Sequence, residues 1–302
     1  MSAITISRLT KRYGPVVAVD DLSFDVHPGK VTGFLGPNGS GKTTTLRILL
    51  GLATPTSGTA TIGGLPYHQL PDPARQVGAA LDGNTFHPGR TAIQHLRIIA
   101  TAAGIPFGRV DQVLGIVGLA DAAGRRVGGY SLGMRQRLSL AGALLGDPGT
   151  LVFDEPLNGL DPEGIRWMRT MLRTLAAEGR AVLVSSHLLN EVAQTVDDVV
   201  VLARGRLVTQ GALAGLADRS PVIRARTTDP ARLVDVLLAA GLRASIADSS
   251  TVEAMAATAD EVGLAAAAAG VPILELSRQD EDLESLCFDR VQQNHQNQEI
   301  AA

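Results

Sequence analysis

At 302 residues and 45% hydrophobic content, the chain is long enough to bury a sizeable core and to hold two domains, or one domain with an extension. Its net charge of −3 and the lack of a long Lys/Arg run argue against nucleic acid as the main partner, since phosphate-tracking surfaces carry a basic excess. The single cysteine, Cys287, excludes an internal disulfide framework and a cysteine-based zinc site, and suits a reducing, cytoplasmic setting.

The opening MSAITISRLTKRYG lacks the apolar core of a secretory signal. No run reaches the roughly 18–20 apolar residues that span a bilayer. The stretch VGLAAAAAGVPIL at 262–274 is too short and carries a proline. Any membrane role is expected to be peripheral. Short strands are predicted at Ile4–Arg8 and Leu22–Val26, separated by a turn at Gly14-Pro15, and a buried strand at Val31–Leu35 leads into a glycine-rich loop and a helix over Thr43–Leu50. A strand at Val77–Leu81 precedes helical spacing over Ala92–Ala103, Val110–Val117 and Arg135–Leu145. Leu151–Phe153 reads as a buried strand, and Pro162 opens a helix to about Glu178. Strands at Val182–Ser185 and Val199–Leu202 flank another helix. Strands alternating with helices predict a mostly parallel sheet covered on both faces. Beyond it, Val222–Arg226, Pro230–Ala240, Thr251–Met255, Ala259–Ala269 and Ile273–Ser277 give a strand–helix–strand–helix–strand rhythm, closed by a helix near Leu283–Val291.

GPNGSGKTT at 36–44 fits G-x-x-x-x-G-K-[ST] between a predicted strand and helix, the context that motif needs. The candidate phosphate-binding residues are Gly36, Pro37, Asn38, Gly39, Ser40, Gly41, Lys42, Thr43 and Thr44. Three glycines let backbone N–H groups turn inward around phosphate oxygens, and the helix start favours an anion. Lys42 is read as reaching the β- and γ-phosphates, and the Thr43 hydroxyl as a Mg²⁺ ligand. TLVFDEP at 150–156 ends a buried strand in two acids: Asp154 as a second Mg²⁺ ligand and Glu155 as the group that polarises water. These two motifs leave GTPases, kinases, motors and transporters open.

YSLGMRQRL at 130–138 narrows the choice, because here the chain resembles the ATP-binding subunit of the ABC superfamily. It is most similar to subunits paired with separate export-type permeases. The family signature LSGGQ falls on Tyr130, Ser131, Leu132, Gly133 and Met134; the serine and second glycine are kept, while Leu132 and Met134 depart from it. Without the resemblance, Ser131 reads as an ordinary helix N-cap. LNGLD at 157–161 resembles the family's D-loop, with Asp161 near a dimer seam. VLVSSH at 182–187 places His187 just beyond a strand, where it resembles the family's switch histidine that contacts the γ-phosphate; the other reading is a structural or merely exposed histidine. Tyr13, in KRYG, resembles the aromatic that stacks on adenine; the other reading packs it on the core. Where the family usually has a coupling glutamine this chain has Asp82, a carboxylate able to hold Mg²⁺ directly or through water. Gly83, Asn84, Phe86 and Pro88 then form either a loop facing the permease or a plain surface loop.

The resemblance covers roughly residues 2–211. It implies an α/β fold: a P-loop NTPase core of ABC ATPase type over 1–211, with an inserted helical subdomain at about 90–146. A small C-terminal α+β extension over 212–291 and a disordered tail at 292–302 complete the expected layout. It further implies two copies meeting head to tail, with one chain's Lys42, Thr43, Asp154, Glu155 and His187 facing the other's Ser131 and Gly133 across ATP and Mg²⁺. The expected partners are a second copy and separately encoded integral membrane permease subunits, with no nucleic acid. The expected location is cytoplasmic, on the inner face of the cell membrane through the permease. Multidrug or antibiotic export is the cargo reading taken from the likeness. The alternatives are a soluble ABC-type ATPase that remodels a ribosome or other assembly, though such factors usually carry two cassettes in one chain, and an ATP-sensing regulator.

Overall fold

Ile4, Ile6 and Leu9 are buried on one strand and Leu22, Phe24 and Val26 on the next, so the first segments pair through a shared apolar face. The computed structural model describes residues 3–81, 86–187, 192–217, 222–255 and 257–279. The chain divides into one unit ending at Leu213 and another starting at Ala214.

In the first unit, β1 (Ile4–Tyr13) and β2 (Val16–Val26) form a hairpin about Gly14, and β4 (Ser57–Ile62) pairs with the other edge of β1 in an antiparallel sheet ordered β2-β1-β4. Both hairpin strands are longer than the sequence suggested. Their registers shift between Ile6 and Tyr13, and Arg8 (φ 45°) and Asp21 (φ 50°) adopt left-handed backbone. Such bulges break the two-residue period on which strand length was judged. This separate antiparallel sheet was not anticipated.

The second sheet carries the site. Its order is β5 (Val77–Ala80), β6 (Thr150–Asp154), β7 (Ala181–Ser186), β3 (Val31–Leu35), β8 (Asp198–Ala203), β9 (Arg206–Ala212). All its pairs are parallel except β8 with β9. Strands β3 and β7 are buried at every position, the pattern of strands covered on both faces. Helices α1 (Lys42–Leu49), α2 (Pro73–Gln76) and α6 (Pro162–Ala177) belong to this core. Strand β9 was missed because its side chains are mostly half-exposed or exposed and show no clean alternation.

Helices α3 (Ala92–Ala102), α4 (Gly108–Ile116) and α5 (Leu132–Ala143) pack together through Leu96, Ala100, Val110, Val113, Leu114 and Leu138. Thr91 and Gln94 form a reciprocal capping box at the start of α3. A short helix α7 (Leu213–Ala217) follows β9.

The second unit runs β10 (Val222–Thr227), α8 (Pro230–Ala239), β11 (Arg243–Ile246), β12 (Thr251–Met255), α9 (Ala259–Ala268), β13 (Ile273–Gln279). Its sheet, ordered β11-β12-β10-β13, is antiparallel throughout, a split β-α-β arrangement. Ile223, Ala225, Val252 and Ala254 meet Leu233 and Leu237 of α8 and Val262 and Ala266 of α9 in a core of its own. Strand β11 was not predicted, because its four residues are too few to show a period and Ile246 is exposed. The helix expected near Leu283–Val291 and the tail at 292–302 lie outside the described residues, as do residues 188–191 of the connection from β7 to β8, where a helix was expected. Among the described residues no helix is long and apolar enough to cross a membrane.

Candidate active site

The buried strand β3 delivers the chain into a tight loop at 36–41, where Gly36, Gly39 and Gly41 take φ of 154°, 79° and 105°. A Cβ on Gly36 would overlap the Leu202 carbonyl oxygen, and one on Gly41 would lie 2.5 Å from that of Ala18. Only glycine suits those two places. Gly41 caps α1 without any side-chain hydrogen bond, and the first turn of α1 holds no acid. A helix start left in that state is an anion site, through its free N–H groups and its dipole. The Ser40 hydroxyl is buried and has no hydrogen-bond partner among the described residues. The Lys42 side chain is 6% exposed; its Nζ donates to Gly36 O at 2.6 Å and stands 3.7 Å from Glu155 Oε1. Burial holds its pKa below the usual lysine range, and Glu155 and Asp154 oppose that shift.

Facing the loop, β6 ends at Asp154, paired in register with Ser185 of β7. Thr43 Oγ1 donates to Asp154 Oδ2 at 2.9 Å. Ser185 Oγ donates to Asp154 Oδ1 and accepts the Glu155 N–H at 3.0 Å. Glu155 sits at φ 51°, a conformation that costs an ordinary residue about 1–2 kcal/mol. Its Oε2 lies 2.9 Å from His187 Nδ1, so the residue after β6 and the residue after β7 meet at one carboxylate. Loop and acids border a cavity of about 740 Å³, lined by Asn38 to Thr44, Asp154 and Glu155, and also by Ala18, Leu132, Gln136, Asn158 and Gly159. The Thr43 hydroxyl and the Asp154 carboxylate are adjacent oxygen donors, the chemistry a hard divalent cation such as Mg²⁺ prefers.

Other expected residues lie elsewhere. Ser131 and Gly133 do not line this cavity; they border a smaller one of about 200 Å³ with Leu160, Asp161 and Trp167. Ser131 caps α5 by accepting the Met134 N–H, and Asp161 caps α6 by accepting that of Gly164. Tyr130 is buried, its hydroxyl donating to Ala122 O at 2.6 Å; burial raises its pKa. Tyr13 is 51% exposed, with Lys11 Nζ 4.7 Å from its ring centre, and does not line the cavity. Asp82, Gly83 and Asn84 lie outside the described residues. Phe86 stacks edge-on against His95 with ring centres 4.9 Å apart. Sequence reasoning overlooked Ser185; two serines closing the apolar run at 181–184 signal polar groups at the end of a buried strand, but not which partner they meet.

A parallel sheet whose central strand feeds a glycine loop and a lysine-headed helix, with an acid pair on a strand of the same sheet, defines a P-loop nucleoside triphosphatase. The family described as ABC transporter matches residues 19–158, and a domain of unknown function matches 221–284. The chain is 43% identical over 210 residues to the bacitracin transport ATP-binding protein of Bacillus licheniformis, covering 68% of this chain and 69% of that protein. It is 38% identical over 247 residues to the Nod factor export ATP-binding protein I of Burkholderia orbicola, covering 79% and 81%. A solved structure of an ATP binding subunit of an ABC transporter aligns with a TM-score of 0.64 at 25% identity, over 87% of this chain and 98% of that one. The chain belongs to the ABC transporter family and is an ATPase of that family.

Proposed function

We propose that this chain hydrolyses ATP as one of two cooperating copies and thereby drives a separate membrane permease, working in export. The observation that carries the reading is the meeting of Lys42, Glu155 and His187 beside the Thr43–Asp154 pair, at the ends of β6 and β7 and the start of α1. Gly36 to Thr44 cradle the phosphates, with Lys42 as the charge that meets the β- and γ-oxygens. Thr43 and Asp154 hold Mg²⁺, with Asp82 as a further oxygen donor at the usual glutamine position. Bound Mg²⁺ supplies charge neutralisation on the phosphate oxygens. Glu155 orients and polarises the attacking water, and His187, held against Glu155, contacts the γ-phosphate. Tyr13 offers an exposed ring for the adenine.

Because Ser131 and Gly133 border a different cavity from the chain's own phosphate loop, we assign them to the nucleotide of a second copy arranged head to tail. ATP then favours the closed pair and hydrolysis reopens it, which biases a two-state permease. The permease places the chain on the cytoplasmic face of the membrane. Relatives named for bacitracin transport and Nod factor export support export as the direction, and drug or antibiotic export as the cargo class. The test is mild-detergent co-purification of tagged Glu155→Gln protein from its native membranes with ATP. A stoichiometric polytopic membrane protein is the expected companion. Recovery only from the soluble fraction, alone or with ribosomes, overturns the transporter reading.

A further inference from the structure

We propose that Ser185 is a positioning residue for hydrolysis, fixing both acids of the site through one hydroxyl; this rests on the roles assigned above to Asp154 and Glu155. Ser185 is fully buried near the end of β7, directly opposite Asp154 in the β6–β7 register. A serine hydroxyl has one proton to give and lone pairs to receive. Here the proton goes to Asp154 Oδ1, and the oxygen receives the Glu155 N–H at 3.0 Å. The first bond fixes the plane of the Asp154 carboxylate, leaving Oδ2 to Thr43. The second pins the backbone of Glu155 at φ 51°, where its side chain reaches His187 and approaches Lys42. Without the hydroxyl, two polar groups beside a fully buried position lose their partner. The carboxylate is then free to rotate, and the strained Glu155 backbone loses a restraint.

Groups that orient a metal ligand typically contribute about 10–100-fold to metal affinity or activity. The experiment compares wild type, Ser185→Ala, Ser185→Thr and Ser185→Cys. It follows Mn²⁺ binding to the ADP complex by electron paramagnetic resonance, binding of a fluorescent ATP analogue in EDTA, and Mg²⁺-dependent turnover. For Ser185→Ala the expected result is Mn²⁺ affinity and turnover both reduced by about 10–100-fold, with metal-free nucleotide binding unchanged. The hydroxyl of Ser185→Thr restores both. Should the added methyl of threonine prevent folding, Ser185→Cys, with its weaker donor, is expected to fall between wild type and alanine. The proposal is overturned if Ser185→Ala matches wild type in Mn²⁺ affinity, or if a folded Ser185→Thr is as defective as alanine. Wild type that fails to hydrolyse ATP with Mg²⁺ overturns instead the reading on which the proposal rests.

Discussion

His187 Nδ1 lies 2.9 Å from Glu155 Oε2, which ties the end of one central strand to the end of its neighbour at the carboxylate assigned to water activation. Glu155→Gln keeps the size and hydrogen-bonding capacity of that side chain and removes its basicity. Turnover should fall by about 10²–10⁴-fold, the usual range for loss of a general base, with ATP still bound. Single-turnover hydrolysis and equilibrium binding on the same preparation separate the two effects. Undiminished turnover would remove Glu155 from the catalytic role.

Lys42→Ala should lose most nucleotide binding, tenfold or more, or at least about 1.4 kcal/mol. The pH dependence carries its own sign. Burial lowers the folded-state pKa of Lys42 below the unfolded value. Phosphate contact needs the ammonium, so affinity should drop as pH rises through that lowered pKa. In the absence of nucleotide, the native chain binds fewer protons at this site than the unfolded chain between the two pKa values. The contribution of Lys42 to stability therefore rises with pH across that window. Nucleotide titrations from about pH 7 to about pH 10 should show the drop in wild type and not in Lys42→Met.

Two glycines make opposite predictions. A Cβ at Gly78 of β5 would overlap the Ala143 carbonyl oxygen at the end of α5, and backbone on both sides leaves little room to yield. Gly78→Ala should cost about 1–3 kcal/mol or more by overpacking. Gly115 lies in α4 with open space around its Cβ position. Gly115→Ala should stabilise by about 0.5–1 kcal/mol through its better helix propensity. Urea denaturation distinguishes them.

The second unit has its own core, so damage there should leave nucleotide binding intact. Leu237 is fully buried among Ile223, Val252 and Val262 in that core. Leu237→Ala should cost about 2–5 kcal/mol of that unit's stability. Calorimetry should show one transition move while the ATP-dependent one stays. Loss of both together would mean that the units unfold as one.

Trp167 is the one tryptophan of the chain, and Arg137 lies 4.3 Å from its ring centre beside the cavity that holds Ser131 and Gly133. If a second copy docks there, ATP should change the intrinsic fluorescence of Glu155→Gln in a way that depends on protein concentration. A concentration-independent signal would count against pairing at this surface.

Much of this was legible because the chemistry is local. The glycine loop, Lys42 and the strand ending in Asp154 and Glu155 each occupy one short stretch, and β3, β6 and β7 are buried runs with clear bounds. The longer helices were likewise read to within a few residues, with Pro162 marking the start of one, while the short helices α2 and α7 span too few residues to show a period and were missed. Where the period failed, so did the reading: bulges at Arg8 and Asp21 concealed the length of the hairpin, and half-exposed β9 and short β11 gave no alternation. Ser185 was passed over for a different reason. Its meaning depends on lying across from Asp154, a pairing between positions 31 residues apart that no local pattern encodes.

The bond from Lys42 Nζ to Gly36 O has a consequence for what the loop accepts. The ammonium donates to Gly36 O at 2.6 Å and Pro37 O at 3.4 Å, which leaves one of its three protons for an arriving anion. Chloride or acetate can meet that proton alone, whereas a polyphosphate can engage Lys42, the α1 N–H groups and the Ser40 hydroxyl, unpartnered among the described residues, together. The preference for a polyphosphate over the small anions around it thereby comes from the number of contacts made at once, with no single donor deciding it.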